Sequence, residues 1–235
     1  MEKVSKILSF IFISLLLPVF SLPAQDELPL PQGDQEGPLG LSVGLNLEGP
    51  IGKIFESDKS AFSAVTHINF APHWFFRGEA GFENLTFSTE NRIDRGYAYE
   101  SNGSFLKAGV LYDFFDVEEQ GNNDNIFIGL HYGFALQEQG SRDFIVENGY
   151  WNDFEGSAGK YVLNTHWLEV SAGPRTELVK NFYMGWTINL RVNMYQDNKE
   201  VLVPYSIPGF GNGDNKVNVG FSYVLEYFIP WGQSD

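Results

Sequence analysis

Phe182-Tyr-Met-Gly-Trp-Thr-Ile-Asn-Leu-Arg-Val-Asn-Met194 decides how this chain is read. Phe182, Met184, Trp186, Ile188, Leu190, Val192 and Met194 alternate with Tyr183, Gly185, Thr187, Asn189, Arg191 and Asn193, and Tyr195 continues the second set. A period of two belongs to a strand, whose successive side chains point to opposite faces. One face here is wholly apolar, and the other is polar enough to hold an arginine.

The pattern returns near the C-terminus, where Val217, Val219, Phe221, Tyr223, Leu225, Tyr227 and Ile229 oppose Asn218, Gly220, Ser222, Val224, Glu226 and Phe228. Shorter versions run through 41–47, 62–70, 74–82, 106–114, 126–136 and 162–172. The expected fold is all-β, an eight-stranded antiparallel up-and-down transmembrane β-barrel preceded by a signal peptide.

Alternation alone also fits a soluble barrel with its apolar face inside. Three features favour the membrane. The best strands exceed the roughly 9 to 11 tilted residues that cross a bilayer. Connections alternate between long (49–60, 88–103, 138–159, 196–216) and short (71–73, 116–124, 174–180), as expected when long loops face outside and both termini face the periplasm. Trp74, Phe182, Tyr183, Tyr227, Phe228 and Trp231 lie where strands meet turns, the place of an interfacial girdle. The last strand carries Asn218, Gly220, Tyr223 and Leu225 in the spacing of a barrel-insertion signal, which implies barrel-insertion machinery as a partner.

The first residues read as an address. Lys3 and Lys6 precede an apolar run over 7–20 and then Leu22-Pro23-Ala24, the layout of a secretory signal cleaved near Ala24. The run falls short of the roughly 20 residues that span a bilayer. The expected organisation is a signal peptide over 1–24, a flexible, Pro-rich and acidic periplasmic segment over 25–39, and an outer-membrane β-barrel over 40–231.

Composition narrows the function classes. A formal charge of −15 without a basic cluster argues against nucleic acid as a partner. The absence of cysteine excludes disulfides, thiolate metal centres and a lipoprotein anchor, and no cofactor is expected.

Inward parity collects Arg77, Glu79, Glu83, Lys107, Asp113, Glu169, Arg191 and Glu226 into a predicted interior charge network. Opposed residues of antiparallel neighbours have a constant sum. A sum of 190 across the third and fourth strands pairs Arg77 with Asp113, Glu83 with Lys107 and, outside, Tyr112 with Gly78. So small a barrel is filled by side chains, which argues against a large pore.

Acyl-transfer chemistry at the outer rim would need a histidine, a serine and a carboxylate together. His166 has opposite parity to Glu169 and Ser171, which separates that set. His67 and His131 share interior parity and could join Glu79 or Asp113, but no spacing imposes a metal site or a nucleophile and base pair. No catalytic or metal-binding residue is assigned. Phe144, Tyr150, Trp151 and Phe154, among Asp143, Glu147, Asp153 and Glu155, form a candidate contact surface on the third long loop.

With the strands placed, the chain resembles an uncharacterised family of Bacteroidota-type outer-membrane barrels known only as a domain of unknown function. Its strongest stretches are Thr165-His166-Trp167-Leu168-Glu169, Asn181-Phe-Tyr-Met-Gly185-Trp186, Ile207-Pro208-Gly209-Phe210 and Val219-Gly-Phe-Ser-Tyr-Val-Leu-Glu-Tyr-Phe-Ile-Pro230. Members often carry Asn after the Pro-Gly-Phe turn, where this chain has Gly211. The resemblance implies fold and location and supplies no catalytic residue, ligand or cofactor. The function expected is a non-enzymatic envelope component among outer-membrane lipid, or the membrane partner of another envelope protein. The alternatives are a lipid-modifying enzyme and loop-mediated binding of a small ligand.

Overall fold

The computed structural model describes residues 40–71, 73–88, 98–115, 124–146, 154–197 and 203–230, with the backbone alone at 87–88, 98, 142–146 and 154–158. The chain divides into two units, Met1–Gln35 and Glu36–Asp235, and every described residue belongs to the second. The expected signal peptide, the 25–39 segment and Trp231 lie outside the described residues.

The strands are β1 (Gly40–Asn46), β2 (Lys59–Ala71), β3 (Trp74–Ser88), β4 (Ala98–Asp113), β5 (Asn125–Val146), β6 (Phe154–Val179), β7 (Phe182–Gln196), β8 (Ser206–Ile207), β9 (Gly211–Asn212) and β10 (Val217–Pro230). A short helix, α1 (Glu48–Phe55), follows β1. Eight of the strands close a barrel in the order β1-β10-β7-β6-β5-β4-β3-β2, each antiparallel to the next, while β8 and β9 make a small separate hairpin.

The barrel is inverted relative to a soluble one. On β5, Ile128, Leu130, Tyr132 and Leu136 face out and are exposed, while Phe127, His131, Ala135 and Gln137 face in and are buried. From Ile126 to Leu136, at about 3.4 Å per residue and a tilt near 40°, this apolar face climbs about 26 Å. That is close to the roughly 25 Å band of an outer-membrane barrel.

One end carries tight turns. His73 and Asn181 take positive φ angles of 61° and 66°, the left-handed conformation that tight reversals need, and asparagine tolerates it well. The other end carries α1 and the β8–β9 hairpin.

β5 and β6 outrun their expected bounds. The expected loop over 138–159 is mostly paired strand, and the expected turn over 174–180 is strand as far as Val179. Apolar alternation stops where the outer face stops being apolar, but backbone pairing continues. Of the candidate loop surface, Phe144, Phe154 and Glu155 pair within this hairpin, and Tyr150, Trp151, Glu147 and Asp153 lie outside the described residues.

Tyr183 and Phe228 are corrections to the expected girdle. Both point inward and are buried, their rings 6.2 Å apart edge to face, closing the lumen at the turn end. Trp74 and Tyr227 are exposed outside, and the Trp74 ring lies tilted against that of Tyr112 at 5.0 Å.

The sum-190 register is also overturned. β3 and β4 pair Glu79 with Lys107, Arg77 with Gly109, Gly81 with Phe105, Glu83 with Gly103 and Trp74 with Tyr112, a sum of 186. Volume explains the choice. The observed register sets Arg77, Phe105 and Glu83 each opposite a glycine, whereas a sum of 190 would have opposed Gly81 to Gly109. The same rule runs on into β5 and β6: a Cβ at Gly133 would strike the Trp167 ring, and one at Gly109 would strike His131.

Candidate functional site

All eight residues of the predicted interior network are buried on the inner face. Seven are joined there by ion pairs; Asp113 does other work.

The middle of the lumen holds a continuous chain of opposite charges. Lys107 lies 2.8 Å from Glu79 and 3.4 Å from Glu169, with Arg77 3.4 Å from Glu79 and Arg191 2.8 Å from Glu169. Asn46 and Ser63 also donate to Glu79. Each carboxylate thus meets two cations in a space without bulk water, the condition under which buried charge is tolerated.

Toward the turn end, Glu226 lies 3.0 Å from both His67 and Arg175. Arg175 donates to Ser42 and Asn125 and lies 3.7 Å over the Tyr183 ring. Sequence reasoning missed Arg175 because it put 174–180 in a turn. Among the described residues Asp113 meets no cation. It accepts from the Phe115 and Ile126 backbone N–H groups at 3.1 Å and from Asn125, tying the β4–β5 connection.

The loop end is plugged. Ile207-Pro208-Gly209-Phe210 forms a tight turn, with the Phe210 N–H donating to the Ile207 carbonyl at 3.0 Å and Gly209 at φ 71°, the positive value that the third residue of a type II turn requires. The turn drives Ile207 and Phe210 into the barrel, where both are 0% exposed and pack with Phe105, Ala135 and Trp167. Polar anchors hold the hairpin: Ser206 donates to Glu83 and accepts from Lys59, and Gln137 donates to the Ser206 carbonyl. Lys59 completes an ion pair with Glu83 at 3.1 Å. Glu48 reaches in from α1 to Arg191 at 3.1 Å and Ser222 at 3.0 Å. Gly211 sits at φ 111°, a conformation suited to glycine.

The residues expected to form an insertion signal lie on β10. Asn218 faces in and donates to the Asn212 carbonyl, Gly220 leaves room for the Arg191 guanidinium, and Tyr223 and Leu225 face out.

Among the described residues the candidate catalytic groups do not form a nucleophile, base and carboxylate relay. His131 Nδ1 lies 3.5 Å from Ser171 and 3.9 Å from Glu169, so one ring nitrogen serves both where base catalysis needs two. All three are buried. His166 is outside the barrel with Tyr132, and His67 is held by Glu226. Among the described residues no group of three potential ligands could hold a metal ion. Where β3–β6 continue past the apolar face, a groove of about 270 Å³ is lined by Asn84, Thr86, Asn102, Glu138 and Lys160.

Apolar outside, charged within and stoppered by its own loop, the molecule is an inside-out eight-stranded β-barrel. The chain belongs to the family described as a domain of unknown function (DUF6048), whose model matches residues 4–233. A comparison with curated proteins gives no match. Similar solved structures include Ail, the attachment invasion locus protein of Yersinia pestis, at 11% identity and a TM-score of 0.40, covering 83% of this chain and 99% of that one. Another is CarO2 of Acinetobacter baumannii, at 10% identity and a TM-score of 0.40, covering 82% and 98%.

Proposed function

We propose that this protein is a non-conducting outer-membrane β-barrel of a Bacteroidota-type envelope, acting as a structural component or as the membrane partner of another envelope protein. One observation carries the reading: an exposed apolar face on every barrel strand surrounds a lumen closed by ion pairs and by the Ile207–Phe210 turn. A soluble protein with so much apolar surface would aggregate, whereas lipid covers it without cost. His166 stands outside the barrel, and His131 turns one ring nitrogen to both Ser171 and Glu169, which supports a role other than acyl transfer.

The test has two parts. Membrane fractionation should place the chain in the outer membrane as a band whose gel migration changes on heating, and planar bilayers should show no stepwise conductance. A soluble periplasmic protein, or a steady open channel, would end the proposal. Affinity capture from solubilised membranes, with residues 25–39 deleted as control, separates the structural role from the partner role.

A further inference from the structure

His166 interrupts an apolar outer face. On β6, Leu168 and Val170 lie on one side of it, and Asn164, the exposed Val162 and Lys160 on the other, so the imidazole stands near the edge of the apolar band, where polar side chains begin to mix in. A β-bulge in the β6–β7 pairing sets Tyr195 opposite His166 and turns its ring outward, where alternation alone would have pointed it into the lumen. Rings of Phe134, Tyr195 and Tyr132 surround the imidazole at 4.9, 5.8 and 5.9 Å.

The Tyr132 hydroxyl is hydrogen-bonded to His166 Nδ1. A phenol is a better donor than a neutral imidazole, so Tyr132 donates, Nδ1 accepts and the ring proton sits on Nε2. Among the described residues His166 makes no hydrogen bond through that Nε2. Asp197, just past β7, is engaged by Asn164, whose side chain donates to it at 2.9 Å. A donor left without an acceptor at the edge of the apolar band forgoes about one hydrogen bond's worth of stabilisation. At this edge of the apolar face, lipid phosphoryl and carbonyl oxygens are acceptors that can reach this donor.

We propose that His166, framed by Tyr132, Phe134 and Tyr195, binds a phosphoryl or carbonyl oxygen of one outer-leaflet lipid, whose acyl chains lie over Leu130, Leu168 and Val170. The site rests on the membrane reading above. The bulge builds it, and the Tyr132 hydrogen bond fixes which nitrogen it presents.

Native mass spectrometry tests it. The protein is refolded into vesicles of phosphatidylethanolamine and phosphatidylglycerol, with and without lipopolysaccharide, and then released in mild detergent. The wild type should retain one lipid. His166→Phe, which keeps the ring packing and removes the donor, should retain about fivefold less, the worth of one hydrogen bond; Tyr132→Phe, which frees the tautomer, should fall between. Retention in the phospholipid vesicles assigns a phospholipid, and retention only with lipopolysaccharide assigns that lipid. Equal retention by wild type and His166→Phe overturns the site, as does a wild type that retains none. Heat-shifted gel migration of each variant reports insertion separately, so a failure of the membrane reading shows there first.

Discussion

Replacing Lys107 with methionine removes the cation at the centre of the lumen while keeping most of its stem. Lys107 lies 2.8 Å from Glu79 and 3.4 Å from Glu169, and both carboxylates would lose a partner. Removing one member of a buried ion pair costs about 3 to 5 kcal/mol. Arg77 remains 3.4 Å from Glu79 and Arg191 remains 2.8 Å from Glu169, so the expected loss lies at the lower end. A loss of about 3 kcal/mol, at a urea slope of about 1 to 3 kcal/mol per molar, lowers the unfolding midpoint by about 1 to 3 M. The double variant Lys107→Met, Glu79→Gln restores charge balance and should regain about 2 kcal/mol. Equilibrium urea unfolding in vesicles, followed by tryptophan fluorescence, measures both. A single variant within about 0.5 kcal/mol of the wild type would mean that the lumen is wet and its charges are hydrated one by one, which refutes the packed network.

Further outcomes test other parts of the account. Phe210→Ala empties the centre of the plug and should cost about 3 to 5 kcal/mol in the same titration. Cysteines at positions 74 and 112 should oxidise readily to a disulfide, because Trp74 and Tyr112 are directly opposed, while cysteines at 78 and 112 should not; non-reducing gels read the result. Asp113→Ala strips acceptors from the Phe115 and Ile126 N–H groups and should cost about 1 to 3 kcal/mol, with faster hydrogen exchange confined to the β4–β5 connection.

The strands and the inward placement of the charges were legible because a two-sided environment writes itself into alternation. Glu79, Lys107, Glu169 and Arg191 were grouped by parity alone, and they share one ion-pair chain. Register was not legible from charge. Counting ion pairs favoured Arg77 with Asp113, whereas the packing of large side chains against Gly81, Gly103 and Gly109 set the alignment. Parity failed at Tyr195, because one inserted residue reverses every face beyond it, and nothing in the local sequence marks the bulge. The plug was missed because 206–212 lies within what reads as a surface loop. Two large apolar residues flanking Pro208-Gly209 were the available signal. Glu48 was missed for a different reason: it lies beyond the last alternating residue of β1, on a short helix that buries no residue.

The central claim is that the apolar face of the barrel meets lipid while its charged face is sealed inside. Spin labels placed singly along β5, from position 126 to position 138, measure this most directly when collision rates with oxygen and with a water-soluble nickel reagent are compared in vesicles. The account predicts a period of two: strong oxygen and weak nickel contact at Ile128, Leu130, Tyr132 and Leu136, low contact with both at the inward His131 and Ala135, and nickel contact rising at Glu138. Nickel contact at Leu130 and Tyr132 as high as at Glu138 would contradict it.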